Sequence, residues 1–252
     1  MAGHSHWAGI KHKKALADNK RGKLWSKLSK AIIVAAKLGG SDPDMNIRLR
    51  TAIADAKAAS MPKDNIERAI KKGTGELEGG SLEELLYEGY APAGVAVMCD
   101  IMTDNRNRTA PEIRKIFEMH GGKLGSTNCV AWMFDRKGLF VVPAKDVEED
   151  KLMEVALDAG ADDVVQYGDN FEITCDPESY SNVAEGLEQA GIPVQGKEVT
   201  RIPQNTVALN ADDASKVLKL LETLDDHEDV QNVSANFDVS DEVLAEIEAS
   251  GG

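Results

Sequence analysis

The fold is decided by residues 163–175, DVVQYGDNFEITC, where two short segments rich in strand-forming residues flank a tight turn. Asp163–Tyr167 and Phe171–Cys175 supply valine, tyrosine, phenylalanine, isoleucine and threonine, which favour β-strands. Gly168-Asp169-Asn170 has the composition of a hairpin turn, because glycine, aspartate and asparagine tolerate positive φ. The segment therefore predicts a β-hairpin.

The hairpin lies in the middle of a regular alternation of strands and helices. Before it, the pattern predicts a strand at Leu139–Val142 and a helix at Glu148–Ala159. After it, the pattern predicts a helix at Pro177–Ala190 and a strand at Lys197–Arg201. The order β-α-β-β-α-β is the ferredoxin-like pattern. We therefore predict a ferredoxin-like domain over residues 137–202.

A second α/β pattern lies on both sides of that domain. Upstream, Val95–Met102 predicts a strand, Thr109-Ala110-Pro111-Glu112 has the spacing of a capping box that opens a helix, and Val130–Phe134 predicts a strand. Downstream, the pattern predicts a strand at Thr206–Leu209, a helix at Asp212–Leu224 and a strand at Val230–Phe237. Because neither half is complete alone, we predict one discontinuous domain of residues 81–136 and 203–240, followed by an acidic tail, 241–252.

The first 80 residues predict a helical domain. Residues 20–38 carry an apolar stripe at helical spacing, and Gly39-Gly40 ends it. Ser41-Asp42-Pro43-Asp44 has the composition of a helix start, and Pro62 opens a third helix that Gly73 ends. The predicted fold class is therefore a multi-domain α+β protein: a three-helix N-terminal domain (1–80), then two α/β sandwich domains, the ferredoxin-like one inserted in the other.

Charge divides the chain at the same place. Residues 1–80 hold 16 Lys/Arg and 8 Asp/Glu, a net charge of +8, whereas the remaining residues have a net charge of −22. A basic end on an acidic protein is typical of a surface for a polyanion. The acidic remainder would repel phosphates beyond a Debye length of about 8–10 Å.

The basic residues fall into an N-terminal arm and one helix face. Trp7 lies among the cations of the arm, where it either stacks on a base or anchors the arm to the body. Lysines of the helix 20–38 share an arc of about 100°, either for phosphates or as an ordinary solvated face. The candidate nucleic-acid contacts in this domain are His4, Ser5, His6, Trp7, Lys11, His12, Lys13, Lys14, Lys20, Arg21, Lys23, Lys27, Lys30, Arg48 and Arg50.

A second candidate patch lies outside the helical domain, at Asn105, Arg106, Asn107 and Arg108, between a predicted strand and helix. Two guanidinium groups and two amides at a helix N-terminus suit phosphate or RNA edges. The alternative is a turn in which Asp104 pairs with its own arginines. Lys123, in the glycine-rich turn 121–125, is a further candidate.

Other functional classes have weak support. The turn 121–127 lacks the Gly-Lys-[Ser/Thr] order of a phosphate loop and follows a helix, which argues against nucleotide hydrolysis. His4, His6 and His12 have no acid or cysteine nearby, so we predict no metal site. No Ser–His–Asp or Cys–His arrangement can be argued, and we predict no cofactor and no catalytic residue.

Six separated motifs resemble the YebC family, whose members have been described as transcriptional regulators and include a mitochondrial translational activator. The likeness is specific over roughly the first 135 residues and one of pattern beyond them. The motifs are Gly3-His4-Ser5 with Trp7 and Ile10–Lys14, then Ala35–Gly40, Met61–Ile70, Tyr87–Tyr90, Thr103–Thr109 and Gly121–Gly125.

The resemblance implies a helical domain with two α/β domains, and association with the ribosome to ease difficult elongation such as runs of proline. Together with the charge pattern, it predicts a non-enzymatic regulator that binds ribosomal RNA or tRNA. A DNA-binding transcriptional regulator, a protein-interaction module and a metal-dependent hydrolase or nuclease at the arm remain alternatives.

The remaining expectations concern location and assembly. No apolar run approaches the roughly 20 residues of a membrane helix, and the three cysteines are far apart and odd in number. We expect a cytoplasmic protein with reduced thiols, no membrane partner and a monomeric state.

Overall fold

The computed structural model describes residues 21–78 and 81–250. These residues form two compact units, one containing residues 21–129 and 212–233, the other containing 130–211 and 234–250. The finer division into three domains and a tail stays a prediction.

Three helices open the first unit: α1 (Arg21–Gly39), α2 (Ile47–Ala58) and α3 (Lys63–Gly73). Both shorter helices pack against α1, because each turns apolar side chains toward it. The predicted stripe of α1 is confirmed at its C-terminal half, where Ile32, Ala35 and Ala36 are buried, whereas Leu24 is exposed. The rest of this core comes from Leu49, Ala52, Ala56, Met61, Ile66 and Ala69.

The start of α2 differs from the sequence prediction. Residues 41–45 form a turn, and the N-cap is Asn46, whose side chain accepts a hydrogen bond from the backbone N–H of Leu49. The same side chain donates to the carbonyl oxygens of Ala35 and Gly40. Gly40 allows this close return because its φ is +85°, a conformation that glycine adopts without strain. Asn46 therefore closes both ends of the α1–α2 turn.

The first unit also contains a four-stranded sheet of order β3-β1-β2-β9, formed by β1 (Glu83–Tyr90), β2 (Ala96–Thr103), β3 (Lys123–Leu124) and β9 (Val230–Ala235). Two helices belong to it, α4 (Arg106–Met119) and α7 (Ala211–Asp225). β1 and β2 form an antiparallel hairpin, and the sequence analysis missed β1. In β1, Gly89 faces β3 and α4, where a Cβ atom would lie 2.6 Å from the carbonyl oxygen of Lys123.

The second unit contains the ferredoxin-like sheet, of order β5-β6-β4-β7 with antiparallel neighbours. Its elements follow the predicted β-α-β-β-α-β order: β4 (Phe134–Pro143), α5 (Glu149–Asp158), β5 (Ala161–Tyr167), β6 (Asn170–Cys175), α6 (Tyr180–Gln189) and β7 (Gly196–Pro203). Along the sequence, this insertion lies between β3 and α7 of the first unit. The predicted fold class is therefore confirmed.

Two short strands and a terminal helix complete the second unit. β8 (Val207–Ala208) pairs in parallel with β10 (Phe237–Asp238), and α8 spans Asp241–Ser250. Val130–Phe134, predicted as a strand, instead contains a 3-10 turn at Ala131–Met133, and the long strand β4 begins only at Phe134.

No helix in the part of the chain that the structure describes is long and apolar enough to cross a membrane. Cys99, Cys129 and Cys175 form no disulfide with one another.

Candidate nucleic-acid interface

Part of the predicted interface lies outside the described residues, namely His4, Ser5, His6, Trp7, Lys11, His12, Lys13, Lys14 and Lys20. Arg21 is the first residue of α1. The other candidates, from Lys23 onward, have described side chains, and all of them belong to the first compact unit.

Lys23, Lys27 and Lys30, here called the lysine row, lie one turn apart along α1 and contact residues 225–229, here called the acidic segment (sequence DDHED). The Nζ of Lys23 donates to the carbonyl oxygen of Asp226 over 3.3 Å. That of Lys27 donates to the carbonyl oxygen of Asp225 over 2.5 Å and lies 3.3 Å from its Oδ1. Lys30 donates to the carbonyl oxygen of Glu228 over 2.9 Å.

These contacts have a simple origin in helix geometry. The last carbonyl groups of a helix have no intrahelical partner, and they carry the negative end of the helix dipole. α7 ends at Asp225, so ammonium groups placed beside residues 225 and 226 satisfy orphan acceptors. Lys23 and Lys27 thus cap the C-terminus of α7, whereas Lys30 binds residues 228 and 229 beyond it.

At the end of the acidic segment, the side chain of Asp229 has no solvent exposure. Its Oδ1 accepts from Lys30 over 2.5 Å, and its Oδ2 accepts from Arg108 over 3.1 Å and from the Thr109 hydroxyl over 2.7 Å. Burial by itself would raise the pKa of this carboxyl, but the hydrogen bonds from Lys30, Thr109 and Arg108 outweigh it and lower the pKa to about 2. Asp229 is therefore an ionised buried carboxylate.

The second predicted patch forms the N-terminus of α4. The helix starts at Arg106, and its N-cap is Asn105, which accepts from the N–H of Arg108. This N-cap lies four residues before Thr109, the N-cap of the capping box that the sequence suggested. Arg108 lies 3.3 Å from Asp104 and also pairs with Asp229, so the alternative of a turn tied to its own acid is present for this arginine. The hydrogen bond that Arg108 donates to Asp229 raises the pKa of the Arg108 guanidinium. Arg106 and Asn107 are exposed.

The other predicted cations are spread over the unit. Arg48 forms a bidentate pair with Glu84. Arg50 and Lys123 are exposed, the latter on the two-residue edge strand β3. The structure thus brings Lys23, Lys27, Lys30 and Arg108 together around residues 225–229, whereas among the described residues no hydrogen bond or ion pair joins Arg50, Arg106 or Lys123 to that segment.

Sequence reasoning missed one basic face. Arg68, Lys71 and Lys72 of α3 are exposed, and none has a carboxylate within salt-bridge distance among the described residues. They lie within about 100° on the side of α3 opposite the buried Ile66 and Ala69. The signal was available, because the three positions share that arc in any helical projection of residues 63–73.

Chemically, the site offers cations and hydrogen-bond donors. Among residues 21–78 and 81–250, no three His, Cys, Asp or Glu side chains are arranged to hold a metal ion. The three histidines of the arm lie outside that range. The basic face of α3 (Arg68, Lys71 and Lys72) and the N-terminus of α4 expose donors that can bind phosphate oxygens. The lysine row, by contrast, already has protein acceptors.

Two family models match most of the chain. The model of the TACO1/YebC protein N-terminal domain matches residues 5–76, and the model of the TACO1/YebC second and third domain matches residues 82–237. The first match covers α1–α3, and the second covers both four-stranded sheets.

Full-length relatives are similar to the chain over nearly all of its length. A protein of Natranaerobius thermophilus named a probable transcriptional regulatory protein is 56% identical, over 97% of this chain and 99% of its own. A protein of the same name from Geobacter sulfurreducens is 55% identical, over 98% of this chain and 100% of its own. The crystal structure of a conserved hypothetical protein from Aquifex aeolicus superposes with a TM-score of 0.86 at 53% identity, covering 95% of this chain and 99% of that one.

Proposed function

The chain belongs to the TACO1/YebC family, and we propose that it is a non-enzymatic regulator of gene expression that binds ribosomal RNA or tRNA on the ribosome. In this proposal it acts as a cytoplasmic monomer that eases translation through difficult stretches, such as runs of proline. The relatives' shared name, probable transcriptional regulatory protein, supports the coarser role of a regulator.

The observation that carries the proposal is the segregation of charge. A net +8 in residues 1–80 stands against −22 in the rest of the chain, and within the basic part Arg68, Lys71 and Lys72 are exposed without a carboxylate partner among the described residues. Lysine and arginine side chains that no protein carboxylate neutralises can pair with phosphates. This pairing releases the counterions condensed on the nucleic acid, which drives binding to any polyanion. The acidic remainder restricts the contact to the basic part of the chain.

Ribosome cosedimentation tests this proposal. The protein should pellet with ribosomes at low salt and be released progressively as KCl rises. Replacing Arg68, Lys71 and Lys72 by glutamine should flatten the dependence of log K on log salt by about 2, given a slope of roughly 0.7 per phosphate contact with single strands.

The matched control replaces three exposed lysines of the second unit, Lys145, Lys151 and Lys197, by glutamine. Its change in net charge equals that of the α3 variant, so a pure net-charge effect would act on both. We expect its salt dependence to follow the wild-type protein. Equal slopes for the two triple variants would contradict the assignment of the α3 face.

The second candidate function is a DNA-binding transcriptional regulator. Besides the relatives' names, one feature favours it: α2 and α3 are joined by only four residues, 59–62, a length also found in helix-turn-helix motifs. Tight sequence-specific binding to duplex DNA at physiological salt, without any ribosome association, would establish this candidate and contradict the first.

A further inference from the structure

The lysine row of α1 lies under an acceptor surface that resembles a nucleic-acid backbone in its chemistry. Three ammonium groups, one per helical turn and so about 5 Å apart along the axis, face a line of carbonyl and carboxylate oxygens in residues 225–229. Phosphate oxygens would make the same kind of charge-assisted hydrogen bond.

We infer that the acidic segment 225–229 is an internal competitor for the lysine row, so that nucleic acid reaches these lysines only by displacing the segment. The inference rests on the proposed function and extends it: the chain contains a contact that limits its own affinity for RNA. Lys23 and Lys27 then add to binding only after the contact opens.

The contact is graded along α1, and this determines where it opens. Lys23 is exposed and makes one bond of 3.3 Å to a carbonyl oxygen. Lys27 is half-buried and pairs with Asp225, whose side chain is 25% exposed. Lys30 pairs with Asp229, whose side chain is fully buried and also held by Arg108 and Thr109.

The outer pair, Lys23 and Lys27, therefore exchanges its partners for phosphates, whereas Lys30 and Asp229 stay together. The Lys27–Asp225 pair keeps some contact with water and is screened by salt more than the Lys30–Asp229 pair, whose separation would leave a fully buried carboxylate unpaired. Opening is thus confined to residues 225–227 and the first two turns of α1.

The test weakens the outer contact without touching Asp229. Asp225→Asn with Asp226→Asn removes the Asp225 carboxylate, which pairs with Lys27, and the carboxylate of the adjacent Asp226, and it keeps the carbonyl oxygens to which Lys23 and Lys27 donate. The control, Glu83→Gln with Glu118→Gln, removes two exposed carboxylates of the same unit and changes the net charge equally. Binding of a fluorescent 30-nucleotide oligouridylate is measured by anisotropy between 50 and 200 mM KCl.

We expect the segment variant to bind roughly three- to tenfold more tightly than the control variant near 0.1 M salt, with a salt slope steeper by about 1.4, the value for two additional phosphate contacts. In the wild type, the cost of displacing the segment offsets part of what the two phosphate contacts gain, so Lys23→Gln with Lys27→Gln should weaken wild-type binding less than it weakens binding by the segment variant. Added to the segment variant, it should abolish the gain, a non-additivity that identifies direct coupling between the two groups.

A second measurement reports on the wild-type protein itself. Hydrogen exchange at the amides of Asp226 and His227, which donate to the carbonyl oxygens of Glu222 and Leu224, should become faster when the oligonucleotide binds. Slower or unchanged exchange would contradict displacement of the segment.

The outcomes separate the two proposals. Identical affinities and slopes for the segment and control variants, in a protein that still binds RNA and ribosomes, overturn the inference alone. Failure of every variant to bind either the oligonucleotide or ribosomes overturns the proposed function, and the inference with it.

Discussion

Asp229, just before β9, joins its loop to three other elements of the first unit, α1, α4 and β2. Its carboxylate accepts from Lys30 of α1 and from Arg108 and Thr109 of α4. Its carbonyl oxygen accepts from the N–H of Met102 in β2, and its own N–H donates to Nδ1 of His227, just before β9. A buried charge is tolerable only when such partners replace its hydration, so the removal of this one charge should affect the whole unit.

Asp229→Asn should destabilise the protein by about 2–3 kcal/mol at neutral pH. This is less than the roughly 3–5 kcal/mol for breaking a fully buried pair, because Arg108 and Lys30 keep some contact with water. Urea unfolding measures the loss. Asp104→Asn, which removes the exposed partner of the same Arg108, is the control and should change the free energy of unfolding by less than about 1 kcal/mol.

The same carboxyl predicts an acid transition. Its pKa in the folded state, about 2, lies below the ordinary value of 3.8, so between these pH values the unfolded chain binds the proton more readily. The stability it contributes, on the order of 2 kcal/mol, is present above about pH 4 and is lost as the pH falls toward 2. Over that window the free energy of unfolding should fall less steeply in Asp229→Asn than in the wild type, and parallel profiles would contradict this assignment.

At the scale of the elements, the turn between α1 and α2 depends on Asn46. Asn46→Ala removes an N-cap and leaves the carbonyl oxygens of Ala35 and Gly40 without the donor that now reaches them. We expect a loss of about 2–3 kcal/mol from the cap and the unsatisfied acceptors together. Thermal unfolding checks this against Ser41→Ala, an exposed residue of the turn at which the sequence pattern placed the helix start. A larger loss of stability in Ser41→Ala than in Asn46→Ala would indicate that the helix starts at Ser41.

The elements that sequence predicted well are those whose pattern is local. The hairpin at 163–175 and its flanking helices carry turn residues and periodicities that need no distant partner. β1 was missed because its inward residues include Glu88, a buried carboxylate that accepts from the N–H of Asn128. Neither that partner nor the contacts of Gly89 with β3 and α4 can be recognised before the tertiary structure is known.

The same limit applies to the candidate site. Helical periodicity placed Lys23, Lys27 and Lys30 on one face correctly, and it offered phosphates or solvent as what that face would meet. The acceptors that the structure provides lie about 200 residues away in sequence, at the end of α7. No pattern within residues 20–38 contains that information, whereas the exposed face of α3 was accessible to the same projection.

At the scale of the whole molecule, the ferredoxin-like insertion has the properties of an independent folding unit. Its core residues all lie between Phe140 and Ile192. Its ends are adjacent, because Phe134 pairs with Pro203 across β4 and β7, and the N–H of Gln204 donates to the carbonyl oxygen of Met133 over 2.8 Å. Because the two ends of the insertion are adjacent, inserting it adds little entropic cost of loop closure to the rest of the chain.

Residues 134–203 should therefore fold when expressed alone. A domain of this size buries a modest share of its surface, so we expect a cooperative but marginal transition of a few kcal/mol in urea. Leu187→Ala, which empties a fully buried position on α6, should leave the fragment largely unfolded at 25 °C, since such a truncation costs about 2–5 kcal/mol.

The exposed Leu157→Ala on α5 is the control and should keep the wild-type transition. Dispersed amide resonances in the wild-type fragment and the control, together with their loss in Leu187→Ala, would establish that the insertion supplies its own core. An unfolded wild-type fragment would mean that this core requires the rest of the chain.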